Sequence, residues 1–353
     1  MTSIACRLPR DANRAALADA SIPPACWVIT DGKPGMENQC LGLAEAMGIT
    51  PDIKRLRLPR AWRELSLHLG WGGGPALVRA EIVPPWPDLL IASGRTSVLA
   101  SLHVKQASGG RTFTVQIQRP VVGINRFDRV IAPAHDALRG DNVISMTGAL
   151  YRASPQLLQQ EAAKWSAQFA YLPRPYVAVM IGGPNLAISP LRRLSSYRLG
   201  PGAVTEIANQ LRTLARTAGA GLLITASRRT GAANVARLRT ILRDCAAWIW
   251  HGEGENPYYG ILGLADNFIV TSDSVNMICE ACSTGKPVQI IQLSGHSRKF
   301  KMFHDSLAAA GCVRDFDGSL EHWHYEPLRE KQRVAMLVRQ AYEQSSMRVT
   351  GCV

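Results

Sequence analysis

The sequence has no long apolar run, and none of its apolar stretches approaches the roughly 20 residues needed to span a bilayer. Residues 1–25 also lack the continuous apolar centre of a secretory signal, and they carry acids among their arginines. These absences predict a cytoplasmic protein whose residues 1–25 form a loose tail.

Cysteines are present, but their spacing fits neither a disulfide framework nor a four-ligand zinc site. The close pair Cys279 and Cys282 falls inside a predicted helix and has no second pair. Free cysteines usually behave as small buried hydrophobes. We therefore expect a reducing environment and no metal site.

Two nucleotide-binding motifs are also missing. No G-x-G-x-x-G follows the first predicted strand, and no G-x-x-x-x-G-K-[ST] occurs, which disfavours nicotinamide cofactors and P-loop chemistry. We expect no bound cofactor, with any nucleotide acting as substrate.

Acidic residues are scarce, with 27 Asp and Glu against 40 Lys and Arg, and the net charge is +13. This balance favours anionic partners. The basic residues are dispersed and no recognition motif is present, so nucleic acid is not the expected partner.

Strand and helix patterns alternate along the chain, which is typical of parallel sheets. The predicted strands are 26–30, 87–93, 113–118, 129–133 and 142–146, then 176–181, 221–227, 246–252, 267–271 and 287–293. The predicted helices are 36–47, 155–169, 204–218 and 232–244. We predict an α/β protein with two Rossmann-like, doubly wound domains facing across a cleft. The expected divisions are 26–150, a linker over 151–175, a second domain over 176–326, and a helix and tail over 327–353.

Residues 54–79 differ from the rest because arginines alternate with leucines and tryptophans. Such a segment suits a lipid headgroup layer, with apolar groups inward and guanidinium groups on phosphates. The alternative is an irregular helical excursion that covers its own domain. Peripheral contact with an anionic membrane, on its inner face, is therefore one hypothesis.

Small polar residues follow the strand 267–271, at the start of the next predicted helix. Ser272, Asp273 and Ser274 would lie at the carboxyl edge of a parallel sheet, where free helix amides favour a phosphate. Glu280 follows about 9 Å farther along the helix, roughly the reach from a nucleotide's phosphates to its ribose hydroxyls. The simpler alternative is that Ser and Asp cap the helix and Glu280 is solvated or paired.

Other strand ends of the second half strengthen the hypothesis of a polyanion site, because glycines admit a phosphate and arginines bind it. Each could equally be a turn glycine or a solvated arginine. The residues are Gly182, Gly183, Asn185, Ser227, Arg228, Arg229 and Arg298.

The segment S-x-N-M-x-x-E-A-x-x-x-G-K-P-V resembles the donor-binding segment of metal-independent glycosyltransferases with two Rossmann domains, the GT-B class. This resemblance implies that Glu280 holds the donor ribose, with Met277 in the same site. Asp273 departs from the pattern, since its charge opposes a diphosphate unless it caps the helix.

A narrower resemblance covers most of residues 27–295. The motifs DGKPGMENQ, SGRTS, FDRVIAPAHD, DNVISMTGAL, GGPN, SRRT, NPYYG and TSDSVNMICEACSTGKPV occur in order. Together they resemble the bacterial and plant mitochondrial-fission family named for elongated mitochondria.

A glycosyl transfer also needs a base from the first domain, and the candidates at its strand ends are His135, Asp31 and Asp136. The favoured function is a glycosyltransferase that uses a nucleotide-diphosphate sugar, acting on a lipid-linked or envelope acceptor. The alternatives are a nucleotide-sugar epimerase and a non-enzymatic, membrane-organising adaptor on the same scaffold.

Overall fold

In the computed structural model of this chain, the described residues are 24–56, 82–189 and 192–350, without the side chains of 185–196 and 348–350. The predicted tail, up to residue 23, and most of the predicted membrane segment, at 57–79, lie outside these residues. The described end of that segment places Lys54 over the Trp27 ring and pairs Arg55 with Glu37.

Within the described residues the first sheet has six parallel strands, in the order β2-β1-β3-β4-β5-β6. Its strands are β1 (Cys26–Thr30), β2 (Asp52–Arg55), β3 (Leu89–Ser93), β4 (Phe113–Ile117), β5 (Arg129–Pro133) and β6 (Val143–Met146). The helices are α1 (Pro34–Ala46) and α2 (Ser97–Ala107). Every residue of β1, β3 and β4 is buried, as expected for parallel strands covered on both faces.

The second sheet is also parallel, in the order β11-β10-β7-β12-β13-β15. The same half of the chain also forms a small antiparallel sheet, in the order β14-β9-β8. The strands are β7 (Tyr176–Ile181), β8 (Asn185–Ser189), β9 (Arg192–Arg198), β10 (Gly221–Ala226), β11 (Ala247–Ile249), β12 (Asn267–Thr271), β13 (Val288–Ile291), β14 (Ser294–Gly295) and β15 (Val313–Asp315). The helices are α3 (Pro155–Phe169), α4 (Pro201–Thr217), α5 (Ala232–Ile241), α6 (Tyr258–Leu264), α7 (Val275–Cys282), α8 (Arg298–Ala309) and α9 (Glu330–Thr350).

The prediction of two doubly wound α/β domains with parallel sheets is confirmed. Helices α1 and α4 begin earlier than predicted because Pro34 and Pro201 occupy first-turn positions, where proline's missing N–H costs nothing. The strand predicted over 246–252 is shorter, since only Ala247–Ile249 pairs with β10. The hairpin of β8 and β9 was not predicted.

Helix α9 returns from the second half of the chain to the first sheet. Its buried residues Val334, Ala335, Val338 and Ala341 belong to the same apolar core as Val28 and the other inward residues of the first domain. Helix α3, from the predicted linker, instead places Phe169 in the core of the second domain. No described helix is both long and apolar enough to cross a membrane.

Candidate functional site

Each parallel sheet has a point where the strand order reverses. In the first sheet β1 lies between β2 and β3, and in the second sheet β7 lies between β10 and β12. Ligands of open α/β sheets bind beyond the carboxyl ends of strands at such points. The ends of β1 and β3 carry Asp31 and Arg95, and the ends of β7 and β12 carry Gly182 and Ser272.

The reversal point of the second sheet is occupied by the protein's own carboxylate, Asp273. The Asp273 side chain is fully buried, and its oxygens accept from the Gly183 N–H at 2.9 Å and the Thr271 hydroxyl at 2.7 Å. The Arg229 guanidinium pairs with it at 2.9 Å and also donates to the Gly183 carbonyl. Asp273 therefore joins three loops, and its charge is already neutralised.

The glycines predicted to approach a phosphate approach this network instead. A Cβ on Gly182 would lie 2.2 Å from an Asp273 oxygen, and one on Gly183 would lie 2.4 Å from the Arg229 backbone. Both contacts are too close for any side chain to be tolerated. The requirement for glycine at these positions thus comes from packing between loops.

The serines predicted at this edge are largely engaged within the protein. Ser272 is fully buried and its hydroxyl accepts from Leu293 N–H, while Ser227 contacts the Thr230 hydroxyl. Ser274 is the N-cap of α7 but makes no capping side-chain hydrogen bond. The first N–H groups of α7 therefore retain their capacity to bind an anion.

Glu280 lies in the last part of α7 and is buried, with 5 % of its surface exposed. Its carboxylate accepts a hydrogen bond from the Tyr258 hydroxyl of α6 at 2.5 Å. Burial raises the pKa of Glu280 to about 7, while the Tyr258 hydrogen bond and the positive charge of Lys331 act in the opposite direction. The Glu280 carboxylate, which was predicted to bind the donor ribose, is therefore hydrogen-bonded to Tyr258 in this structure.

A groove of about 940 Å³ separates the two domains. Its first-domain wall includes Gln39, Arg95, Arg119, His135 and Asp136. The second-domain wall is formed by the start of α7 and by α8, through Val275, Asn276 and Lys299. Two predicted catalytic residues and the amino end of the predicted donor helix therefore share one groove.

Polar contacts join the walls of this groove. The Asn276 amide donates to the Gly35 carbonyl at 3.2 Å, and Lys299 Nζ lies 2.7 Å from an Asp136 oxygen. His135 packs edge-on against Phe303 of α8, with ring centroids 5.8 Å apart. Burial lowers the pKa of His135, so its imidazole is neutral at neutral pH and able to accept a proton.

The remaining predicted site residues lie at separate places in the structure. Asp31 pairs with Lys33, and Arg228 and Arg298 are exposed. Met277 is half-buried in α7, and Asn185 begins β8, where its side chain is not described.

Several groove residues were not predicted as site residues from the sequence. Arg95 stands in SGRTS directly after β3, and its place at the end of a strand could have identified it as a site residue. Lys299 is adjacent to the predicted Arg298, but it faces the groove and Arg298 is not among the described lining residues. Gln39 is the last residue of the family motif DGKPGMENQ, which was not linked to binding, and Arg119 lies in a loop outside the eight motifs.

Metal-ligand clusters and disulfides are absent from the part of the chain that the structure describes. Its cysteines are free thiols, and five of the six are buried. Cys279 accepts a hydrogen bond from Ala149 N–H at 3.3 Å, which places its sulfur at the junction of the domains.

The overall architecture resembles solved enzymes of the GT-B class. UDP-GlcNAc 2-epimerase from Methanocaldococcus jannaschii superposes with a TM-score of 0.53 at 11% identity, over 90% of this chain and 99% of the enzyme. The Neisseria meningitidis enzyme, solved with UDP-GlcNAc bound, has a TM-score of 0.50 at 11% identity, over 91% and 99% of the two chains. At this identity the likeness concerns the fold.

Sequence comparison is more specific. The mitochondrial fission protein ELM1 of Arabidopsis thaliana is 30% identical over an alignment of 393 positions, gaps included, which covers 88% of this chain and 90% of the plant protein. The family model described as mitochondrial fission ELM1 matches residues 34–342. The resemblance inferred from the eight motifs is confirmed, and the chain belongs to the mitochondrial fission ELM1 family.

Proposed function

We propose that this protein is a metal-independent glycosyltransferase that uses a nucleotide-diphosphate sugar and acts on a lipid-linked or envelope acceptor. The observation that carries the proposal is the groove, in which a candidate base on one wall faces the uncapped amino end of α7 on the other. The same fold binds UDP-GlcNAc in the Neisseria enzyme, which supports a nucleotide sugar as the ligand.

In this proposal the donor diphosphate lies at the amino end of α7, close to Lys299. The helix amides and the ammonium group stabilise the charge that develops on the leaving diphosphate. Arg229 supports the loop beneath this position through Asp273. Glu280, farther along the helix, binds the ribose hydroxyls after Tyr258 gives up its hydrogen bond.

On the opposite wall His135 acts as the general base. An acceptor hydroxyl forms a bond to the sugar's anomeric carbon, the bond to the diphosphate oxygen breaks, and the hydroxyl proton passes to the imidazole. Burial favours the neutral imidazole that this role needs. The Asp136 carboxylate and Lys299 fix the loop that carries His135.

Titration calorimetry with UDP-N-acetylglucosamine, and then with other nucleotide sugars, tests this function. We expect saturable binding, and we expect Glu280→Gln to weaken it at least tenfold because a neutral amide is a poorer acceptor for two ribose hydroxyls. Tyr258→Phe is the matched control, since it removes the competing hydroxyl and leaves the carboxylate. Equal affinity of wild type and Glu280→Gln contradicts the ribose role.

The plant relative is named for mitochondrial fission, which favours a non-catalytic adaptor on the same scaffold as the second candidate. An adaptor predicts no binding of any nucleotide sugar, and no thermal stabilisation by such ligands. Where a nucleotide sugar does bind, NMR of the products separates transfer from epimerisation, because an epimerase turns over without an acceptor.

A further inference from the structure

Two arginines on the first-domain wall of the groove have no partner within the described part of the chain. Arg95 follows β3 and Arg119 follows β4, so both lie at the carboxyl edge of the first sheet, and both side chains line the groove. Neither guanidinium makes a hydrogen bond or an ion pair with a described residue. Asp136, which is the one carboxylate among the lining residues that the structure describes, is already paired with Lys299.

The same wall contains a buried polar atom that has no hydrogen-bond partner among the described residues. Gln39 of α1 is 2 % exposed; its amide nitrogen donates to the Gly35 carbonyl at 3.1 Å, but its Oε1 has no hydrogen-bond donor. Leaving a buried carbonyl oxygen without a hydrogen-bond donor is unfavourable. Because Gln39 belongs to a residue set that lines the groove, a ligand O–H or N–H there could supply the missing donor.

The backbone beside Arg119 is also unusual. Gln118 has φ of 71° although it is not glycine, and its N–H donates to the Ile131 carbonyl of β5 at 2.7 Å. A left-handed conformation at a non-glycine residue is unfavourable and is maintained where surrounding contacts enforce it. It turns the chain sharply at the end of β4, so that the following residues 119–124 form one wall of the groove.

We infer that this first-domain wall binds a phosphorylated acceptor. Arg95 and Arg119 hold a phosphate or diphosphate group, and Gln39 Oε1 accepts a hydrogen bond from an acceptor hydroxyl or amide N–H. Guanidinium groups bind phosphate oxygens through paired hydrogen bonds and stay charged at all physiological pH values. The inference rests on the proposed function, and it specifies the acceptor as an anionic sugar phosphate or glycosyl diphosphate.

The donor does not account for these arginines. In the proposed function its diphosphate is held by α7 and Lys299 on the opposite wall, whereas Arg95 and Arg119 belong to the sheet of the other domain. Among the described lining residues, the ionised ones comprise three cations and one carboxylate, so this part of the groove retains positive charge beyond that of the paired Lys299 and Asp136.

Binding measurements on the double variant Arg95→Ala/Arg119→Ala test the inference. The ligands are N-acetylglucosamine 1-phosphate in solution and a polyprenyl diphosphate in phosphatidylcholine vesicles. We expect wild type to bind at least one of them, and the double variant to bind it at least tenfold more weakly. Dependence in solution identifies a free sugar phosphate, and dependence only in vesicles identifies a lipid-linked diphosphate.

Arg111→Ala is the matched control, because Arg111 is exposed at the opposite edge of the same sheet, just before β4. It should bind like wild type. Arg95→Lys/Arg119→Lys should recover part of the affinity, since the charge returns without the paired hydrogen bonds.

Binding of UDP separates this inference from the proposed function. We expect the double variant to bind UDP within twofold of wild type. A tenfold loss of UDP affinity would place both arginines in the donor site and overturn the inference. Failure of both phosphorylated ligands to bind, or equal binding by wild type and the double variant, would also overturn it. If UDP and nucleotide sugars fail to bind while a phosphorylated ligand binds through these arginines, the proposed function fails and the anion site stands.

Discussion

Asp273 illustrates how a charged residue at a predicted ligand site can serve the protein instead. Its carboxylate receives hydrogen bonds from Gly183 N–H and the Thr271 hydroxyl and pairs with Arg229. A buried carboxylate is stable only with this degree of compensation. The groups at these strand ends that could bind an external anion therefore bind the Asp273 carboxylate, and this network holds the loops of the second domain together.

Asp273→Asn should lower the free energy of unfolding by about 2–4 kcal/mol, because an amide group would face backbone and guanidinium donors and the charge that pairs with Arg229 would be lost. Urea denaturation at 25 °C measures the change. Asp305→Asn is the control, since Asp305 belongs to an exposed i,i+4 pair with Lys301 and should change stability by less than about 1 kcal/mol. Equal effects of the two substitutions would show that the Asp273 network is dispensable.

Glu280 links stability to pH. Its pKa is about 7 in the folded protein against an ordinary value of 4.5, so the folded state favours the protonated form. The stability that Glu280 contributes to the folded protein is fully present below about pH 4.5, and it is lost as the pH rises through 7. The difference between these pKa values corresponds to about 3 kcal/mol once the carboxyl is fully ionised.

Glu280→Gln removes this ionisation. Relative to wild type, the variant should gain up to about 3 kcal/mol of stability between pH 5 and pH 8, as measured by urea denaturation at several pH values. Tyr258→Phe should move the transition to higher pH, because the tyrosine hydrogen bond lowers the pKa of Glu280. A stability difference that does not vary with pH would contradict a buried, titrating carboxyl. Gain in stability together with loss of ligand affinity is the pattern expected of a binding residue.

At the scale of elements, the position of α9 on the first domain is set by a few buried residues, although the sequence of the helix carries no motif. Val334, Val338 and Ala341 recur at helical spacing and are buried against α1 and the first sheet, while Met336 on the other face is 55 % exposed. The stripe is narrow, and most of the helix surface is polar. Packing of this stripe, and not helix propensity, holds α9 on the first domain.

Val338→Asp should destabilise the protein by about 3–5 kcal/mol, because it places an unpaired charge in the first core. Met336→Asp, two residues away on the exposed face, should change stability by less than about 0.5 kcal/mol. Hydrogen exchange measured by mass spectrometry localises the effect, and we expect loss of protection in β4, β6 and α1. Loss confined to the second domain would contradict the assignment of α9 to the first.

Elements with uniform patterns were predictable from the sequence. Strands β1, β5 and β12 have the predicted bounds because each is a short β-branched or apolar run between turn residues. The hairpin of β8 and β9 was missed because 185–198 has neither an apolar run nor clear alternation. Pairing between these strands, rather than local pattern, defines them.

At the scale of the whole molecule, two facing domains with a groove between them followed from the alternation of strands and helices. Which charged residues face that groove did not follow, because it depends on pairings between distant residues. The sequence predicts Arg229 as a phosphate ligand, but the structure pairs it with Asp273. Arg95 and Arg119, which the sequence does not mark as site residues, line the groove. The predicted roles of His135 and Glu280 remain for experiment.

The return of α9 to the first sheet has a consequence for synthesis on the ribosome. Residues 26–146 emerge long before Val334 and Val338 are translated, so the first core lacks one of its covering helices during most of elongation. The second sheet, between Tyr176 and Asp315, has all its strands earlier than this helix. The later half of the chain should therefore reach its native state first, while the nascent earlier half exposes an apolar surface that chaperones bind.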